Sequence, residues 1–422
     1  MDLHDELAWR GLVYDTTEGL REVIARDRLT AYIGFDPTAA SLHVGSLLPV
    51  MALARLQRCG HTPIGLVGGG TGLIGDPSGK SAERTLMTVE QVDANVAGIR
   101  EQLSRFLDFD AVANPAQLVN NADWLTRLSA MEFLRDVGKY FTVNAMLAKE
   151  SVKRRMEGED GISYTEFSYS LLQAYDFLVL HDRFGCTMQL GGSDQWGNIV
   201  AGIDLIRRVR GAKAHGLVMP LLTTASGAKF GKTEGGAVWL DATLTSPYEF
   251  YQFWFNADDR DAVRYLKFFT FLDAPAIAAL GAANASEPEK RHAQRELARE
   301  VTRLVHGAGA VQEAESAAEK LFRGDLSAMP VADLLQIFAN VPSCDLPSAD
   351  AGWTIPELLT TAGVASSRSE AVRLIKGGGI SLNGNRVTDE KERVTSAQAL
   401  EGSVFVIRKG KKDNFLIRVI KG

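Results

Sequence analysis

A chain of 422 residues with 45% hydrophobic and 23% charged side chains has a globular composition and is too long for one ordinary core, so two or three domains are expected. No run approaches the roughly 18 uninterrupted apolar residues of a membrane helix, and the opening "MDLHDELAWR" lacks the basic start and apolar core of a signal peptide. The net charge of −6 argues against a protein coated in nucleic acid, while Cys59, Cys186 and Cys344 are too scattered for a CxxC metal site and suit a reduced cytoplasm.

From Leu29 to about Leu240, short apolar runs alternate with helical patterns, and residues 1–245 read as an α/β sheet domain. "TAYIGFDP" and "TPIGLVGG" have the character of buried parallel strands, each running into a glycine-rich turn. "CTMQLGGSDQW" repeats the pattern before the helix-like "GNIVAGIDLIRRVR". Ligands of open α/β sheets bind at the carboxyl ends of the strands, so the three turns are expected round one crevice. "YSLLQAYDFLVL" predicts a helix in which Tyr169, Gln173 and Asp176 fall within a wedge of about 60°. A buried carboxylate is costly unless paired, so this wedge is expected to face something polar.

Strand signals stop at Ser246. "RDAVRYLKFFTFL" and "EKRHAQRELAREVTRLVHG" place apolar residues at helical spacing, so residues 246–323 are expected to form a helical domain. Residues 324–351, which include "NVPSCDLPSADAG", read as a linker. In 352–422, "IPELLTTAG" and "SRSEAVRLIKGGG" predict two glycine-stopped helices, and "ISLNGNRV" a hairpin with an Asn-Gly turn. This last segment holds 12 Lys and Arg against 7 Asp and Glu, a local +5 that leaves −11 on the rest. A basic tail on an acidic body points to a localised polyanion contact.

Two signals point elsewhere. Gly70-x-Gly72-x-x-Gly75 fits the dinucleotide fingerprint, with Asp93 downstream, but Asp76-Pro77 interrupts the helix that should receive a pyrophosphate. "GDPSGKS" resembles a phosphate-binding loop, yet only three residues separate Gly75 from Gly79 where four are required. Three other stretches fit together. "GFDPTAASLHVGS" places His43 and Gly45 at a helix start, where free N–H groups and a dipole end favour phosphate. "GSDQW" puts Asp194 and Gln195 at a strand end. "SGAKFGKTEGG" sets Lys229 and Lys232 in a glycine-rich loop suited to a lid that neutralises charge on a transferring phosphate.

Together these segments resemble the class I aminoacyl-tRNA synthetases, and within them the bacterial-type tyrosyl-tRNA synthetase family. "YIGFDPTAASLHVGS" is similar to the family's HIGH segment and "KFGKT" to its KMSKS-type loop. "TGLIGDPSGKSAERT", "TEFSYSLLQAYDF" and "GGSDQWGNI" resemble further family blocks. The resemblance covers nearly the whole chain. It implies a Rossmann-like parallel-sheet catalytic domain, an α-helical domain on the anticodon side and a small α+β S4-like RNA-binding domain. It further implies a homodimer with "MEFLRDVGKYFTVNAML" near its interface, and L-tyrosine, ATP with Mg2+ and tRNA(Tyr) as partners.

The implied roles follow residue by residue. Tyr32 and Asp176 would hydrogen-bond the phenol of tyrosine, and Tyr169, Gln173 and Asp76 would hold its amino group with Gln195 nearby. Gly34, Asp36, Thr38, His43, Gly45, Gly192 and Asp194 would hold ATP, and Lys229, Lys232 and Thr233 the leaving pyrophosphate. The substrate carboxylate is itself the nucleophile, so catalysis reduces to positioning and charge stabilisation, and magnesium arrives with ATP without a protein metal site. Ser46 stands where the family motif has its second histidine, and Ile33 where many members have cysteine; both bear on ATP affinity. Arg207 and Arg208 are candidates for the tRNA acceptor stem, and Arg368, Arg373 and Lys376 for phosphates elsewhere on the tRNA.

Overall fold

A computed structural model describes residues 2–76, 78, 87–158, 161–225, 227, 230–233, 236–323, 326, 329–338, 341–348, 352–410 and 413–420. Side chains at 150, 151, 232, 233, 322, 323, 332, 333 and 336 lie outside the description. The chain divides into two compact units, Met1–Leu240 with Phe255–Val305, and Asp241–Trp254 with His306–Gly422. Among the described residues no helix is long and apolar enough to cross a membrane.

The first unit is built on a six-stranded sheet. Its strands are β1 (Asp15–Thr16), β2 (Thr30–Phe35), β3 (Thr62–Val67), β4 (Gln117–Asn120), β5 (Cys186–Gly192) and β6 (His215–Met219). They lie in the order β1-β6-β5-β2-β3-β4, all parallel except β1, which runs antiparallel to β6. Ile64, Leu66, Val67, Met188 and Leu190 are buried, as expected where helices cover a parallel sheet on both faces. The chain moves outward from β2 through β3 to β4 and then returns to β5 on the other side of β2. This reversal opens a crevice at the carboxyl ends of β2 and β5. The three glycine-rich turns expected there follow β2, β3 and β5.

The helical stretch predicted for 246–323 consists of Pro247–Phe255, Asp259–Phe269, Ala274–Ser286 and His292–Arg323, with a break at Gly307 (φ 89°, ψ 171°). It does not stand as a separate unit, because residues 255–305 group with the sheet. Two buried guanidinium groups explain why. Arg55 donates to the carbonyls of Phe268 (2.8 Å) and Thr270 (2.9 Å), and Arg10 to those of Lys267 (2.8 Å) and Leu272 (2.9 Å). They satisfy the open carboxyl end of the Asp259–Phe269 helix, where cations are favoured.

In the second unit, β9 (Ser343–Pro347), β11 (Ile380–Leu382), β12 (Asn385–Arg386), β14 (Val404–Lys409) and β15 (Asp413–Ile420) form one sheet in the order β12-β11-β14-β15-β9. β10 (Trp353–Thr354) pairs with β13 (Arg393–Val394). The expected hairpin is present: Asn383 (φ 49°) and Gly384 (φ 84°) turn β11 into β12, both left-handed as a tight Asn-Gly turn requires. The two expected helices are Ile355–Thr361 and Arg368–Lys376. The stretch read as a linker is structured over part of its length. It contains the helix Val331–Ile337 and β9, which pairs in parallel with β15 and buries Leu346 in the core of this unit.

Candidate functional site

At the carboxyl ends of β2 and β5 lies a cavity of about 190 Å³, lined among others by Tyr32, Gly34, Asp36, Asp76, Tyr169, Gln173, Asp176, Gly192 and Gln195. The polar wedge of the Tyr164–Phe184 helix therefore faces a cavity, and nine of the residues predicted from sequence meet there. Thr38, His43, Gly45 and Asp194 do not line it.

One end is made for a hydroxyl. Asp176 is 2% exposed, and its two oxygens accept from Asn121 Nδ2 (2.9 Å) and Trp124 Nε1 (2.7 Å). Burial lifts its carboxyl to about 7, opposed by these two donors and reinforced by the charge of Asp36. The Tyr32 hydroxyl is buried with no hydrogen-bond partner among the described residues. Burial and the neighbouring Asp176 charge hold that phenol well above its usual range, so it stays a neutral donor. A buried donor beside a buried carboxylate needs a partner that can both give and accept a hydrogen bond.

The other end is made for a cation. Asp36 accepts from Tyr169 Oη (3.3 Å) and Thr71 Oγ1 (3.2 Å). Asp76 accepts from the Ser78 amide (2.9 Å) and from Gln195 Nε2 (2.7 Å). The two ends communicate, since Asn121 Nδ2 also donates to Thr71 Oγ1 (2.9 Å). Three carboxylates thus wall one small cavity, and among the described residues no lysine or arginine lines it.

Beyond the cavity, His43 precedes a short 3-10 turn, Val44–Ser46, that leads into the helix Leu47–Arg58. The Gly45 N–H donates to His43 Nδ1 (3.0 Å), and a Cβ at Gly45 would stand 2.7 Å from the ring, so only glycine lets the imidazole fold there. The motif carrying the lysines runs beside this turn. The amide of Val44 donates to the Val238 carbonyl (2.9 Å), that of Leu240 to the Leu42 carbonyl (2.8 Å), and His43 bridges to Trp239. A Cβ on Gly231 (φ 82°) would lie 3.0 Å from Val44 and 3.3 Å from the Gly45 nitrogen. Phe230, stacked on Phe269 at 5.5 Å, anchors the segment. Lys232 and Thr233 form β7, paired with β8 (Gly236–Ala237); their side chains, and Lys229 as a whole, lie outside the described residues.

Arg207 and Arg208 end the helix Trp196–Arg210, and both pair with Asp204. Arg368, Arg373 and Lys376 are exposed on the helix Arg368–Lys376, with Lys376 3.1 Å from Glu390.

The glycines of the dinucleotide fingerprint have another use. Among the described residues the next helix after Gly75 begins at Val89. A Cβ on Gly70 would stand 3.0 Å from Leu125 and 3.3 Å from Asn121 Oδ1, and one on Gly72 3.0 Å from Pro37. Glycine here lets the turn after β3 pack closely against Leu125, Asn121 and Pro37.

Sequence reasoning missed Thr71, Asn121, Trp124, Gln189 and Asn198. The "NNADW" run at the end of β4 was the available signal for two of them. Gln189 lines the cavity with a buried Oε1 that has no partner among the described residues.

Comparison with known proteins places the chain in a family. The family model "tRNA synthetases class I (W and Y)" matches residues 25–323, and that of the "Tyrosine--tRNA ligase SYY-like C-terminal domain" matches 333–417. The chain is 56% identical over 419 residues to the tyrosine–tRNA ligase of Roseiflexus castenholzii, covering 99% of both. It is 54% identical over 421 residues to that of Geobacillus stearothermophilus, covering 99% of this chain and 100% of the relative. A C-terminally truncated mitochondrial tyrosyl-tRNA synthetase of Aspergillus nidulans superposes with a TM-score of 0.70 at 34% identity, over 76% of this chain and 94% of that one. A buried hydroxyl site, a wall of carboxylates and the two apposed signature segments thus sit in a chain matched over its length: it belongs to the class I tyrosyl-tRNA synthetase family.

Proposed function

We propose that the cavity holds L-tyrosine and that the adjoining His43 turn and lysine-bearing segment hold ATP, so that tyrosyl-adenylate forms between them before the tyrosyl group passes to tRNA(Tyr). The observation that carries this reading is the buried Tyr32 hydroxyl, unpartnered beside Asp176, at the end of the cavity opposite the amino-group site. A tyrosine phenol supplies both the donor and the acceptor that this end lacks. Its ammonium group meets Asp76, Tyr169 and Gln173. The carboxylate, two bonds from the ammonium, then falls beside the N–H donor of Gln195. It attacks the α-phosphate of ATP, forming the carboxyl–phosphate bond and releasing pyrophosphate.

Gly34, Asp36, Thr38, Gly192 and Asp194 take the nucleoside and sugar, and His43 and Gly45 the phosphates. Lys229, Lys232 and Thr233 neutralise the departing pyrophosphate. Magnesium enters with the phosphates of ATP and needs no protein cage. Exposed Met131, Leu134 and Val143 supply an apolar patch for a homodimer. Arg207 and Arg208 face the acceptor stem of the tRNA, and Arg368, Arg373 and Lys376 its backbone phosphates elsewhere.

ATP–pyrophosphate exchange tests the reading. Exchange should require tyrosine and should not proceed with phenylalanine, which leaves Tyr32 and Asp176 unmatched. Exchange driven equally by both amino acids would refute the assignment of the hydroxyl end.

A further inference from the structure

Asn198, on the first turn of the helix Trp196–Arg210, is 6% exposed and does not line the cavity. Its Nδ2 donates to Gln195 Oε1 (3.2 Å) and to Ser78 Oγ (3.2 Å). With the two bonds to Asp76 these close a ring. Asp76 Oδ1 accepts from the Ser78 amide, Ser78 Oγ accepts from Asn198, Asn198 donates to Gln195 Oε1, and Gln195 Nε2 returns to Asp76 Oδ2.

The direction of the ring is fixed by chemistry. Asp76 as a carboxylate only accepts, so the Gln195 atom 2.7 Å away must be the nitrogen. The Gln195 oxygen then points to Asn198, which must answer with its own nitrogen. We infer that Asn198 is a positioning residue for adenylate formation: it holds the Gln195 amide so that its nitrogen, and not its oxygen, faces Asp76 and the substrate carboxylate. Without Asn198 the amide keeps only its bond to Asp76, and its oxygen loses the donor that fixes the plane of the group. An oxygen in that place would repel both the Asp76 carboxylate and the negative charge developing at the reacting centre. The inference rests on the proposed placement of tyrosine in the cavity.

Asn198→Asp keeps the size but replaces the donor by an acceptor, and Asn198→Ala opens the ring. Pre-steady-state tyrosine activation should slow by about 10²-fold in both, the scale expected for a misplaced group at a reacting centre. Tyrosine dissociation should change by less than about threefold, since no direct contact is lost. The deciding measurement is a double-mutant cycle. In a Gln195→Ala background the Asn198 substitutions should change the rate by less than about twofold, because Asn198 acts only through that amide.

Should Gln195→Ala alone leave activation at the wild-type rate, the placement of tyrosine is wrong. Should Gln195→Ala slow the reaction while Asn198→Asp slows it by the same further factor in both backgrounds, the placement stands and the positioning role of Asn198 is overturned. Asn198→Asp, being isosteric, carries the test if the alanine variant does not fold.

Discussion

At the end of the crevice proposed to hold tyrosine, Asp176 is buried and held by Asn121 and Trp124, and Asp76 is held by Ser78 and Gln195. At the end proposed to hold the phosphates His43 is exposed, and the segment bearing Lys232 meets the His43 turn through backbone hydrogen bonds and glycine contacts. The difference matches the two tasks. Choosing tyrosine requires that a wrong ligand leave costly unpaired groups, and in this end the Asp176 carboxylate is buried and held while the Tyr32 hydroxyl awaits a partner. Stabilising a leaving pyrophosphate requires charge that meets the transition state, and such charge can come from exposed side chains on a backbone scaffold.

The comparison breaks most severely at Asp176. Asp176→Ala removes the acceptor for the phenol and strands the donors of Asn121 and Trp124, so kcat/KM for tyrosine should fall on the order of 10³-fold. Steady-state pyrophosphate exchange measures it. A variant with wild-type kcat/KM would show that the hydroxyl end has been misassigned.

Lys232→Ala should act at the other end and on the other parameter. Loss of one charge that complements a transition state typically costs on the order of 10²–10³ in rate. The dissociation constant for tyrosine should stay nearly unchanged. If the variant instead binds tyrosine poorly but reacts normally once saturated, Lys232 belongs to the amino-acid pocket and the contrast between the two ends collapses.

A smaller effect is expected at Gly231, whose positive φ costs a side chain about 1–2 kcal/mol. An added methyl would also press on Val44 at 3.0 Å and on the Gly45 amide at 3.3 Å. Gly231→Ala should therefore push the lysine segment off the His43 turn and slow adenylate formation by roughly tenfold, the factor that about 1.4 kcal/mol gives, with tyrosine affinity intact. Stopped-flow fluorescence would resolve the two, and a loss of tyrosine affinity would count against the separation.

Much of this was legible from residues alone because it is local. The glycine-rich turns after β2, β3 and β5, the Asn-Gly hairpin and the wedge of Tyr169, Gln173 and Asp176 each depend on neighbours within a turn or two. The supports of the wedge were not legible, for the opposite reason. Asn121 is 55 residues from Asp176, and Ser78 is 120 from Asn198, so no periodicity links them. The stretch 324–351 failed likewise. Its Pro, Ser and Asp content describes an irregular chain, but β9 gains its order from β15, with Asp345 bonded to Arg418 across 73 residues.

The finest distinction between the two ends is a matter of protons. Burial places the Asp176 carboxyl near 7, whereas an unfolded aspartate titrates at about 3.9. Because the folded value is the higher one, the folded chain keeps a proton that the unfolded chain has already lost. Stability therefore falls as pH rises from about 4 to about 7 and levels off above. Between pH 6 and 8 this one group should remove about 1 kcal/mol, a slope absent from Asp176→Asn. Urea unfolding of the wild type and of Asp176→Asn at the two pH values gives the difference directly. If the two proteins lose the same stability over that interval, Asp176 is already ionised at pH 6, and the dry tyrosine end is wetter than its geometry implies.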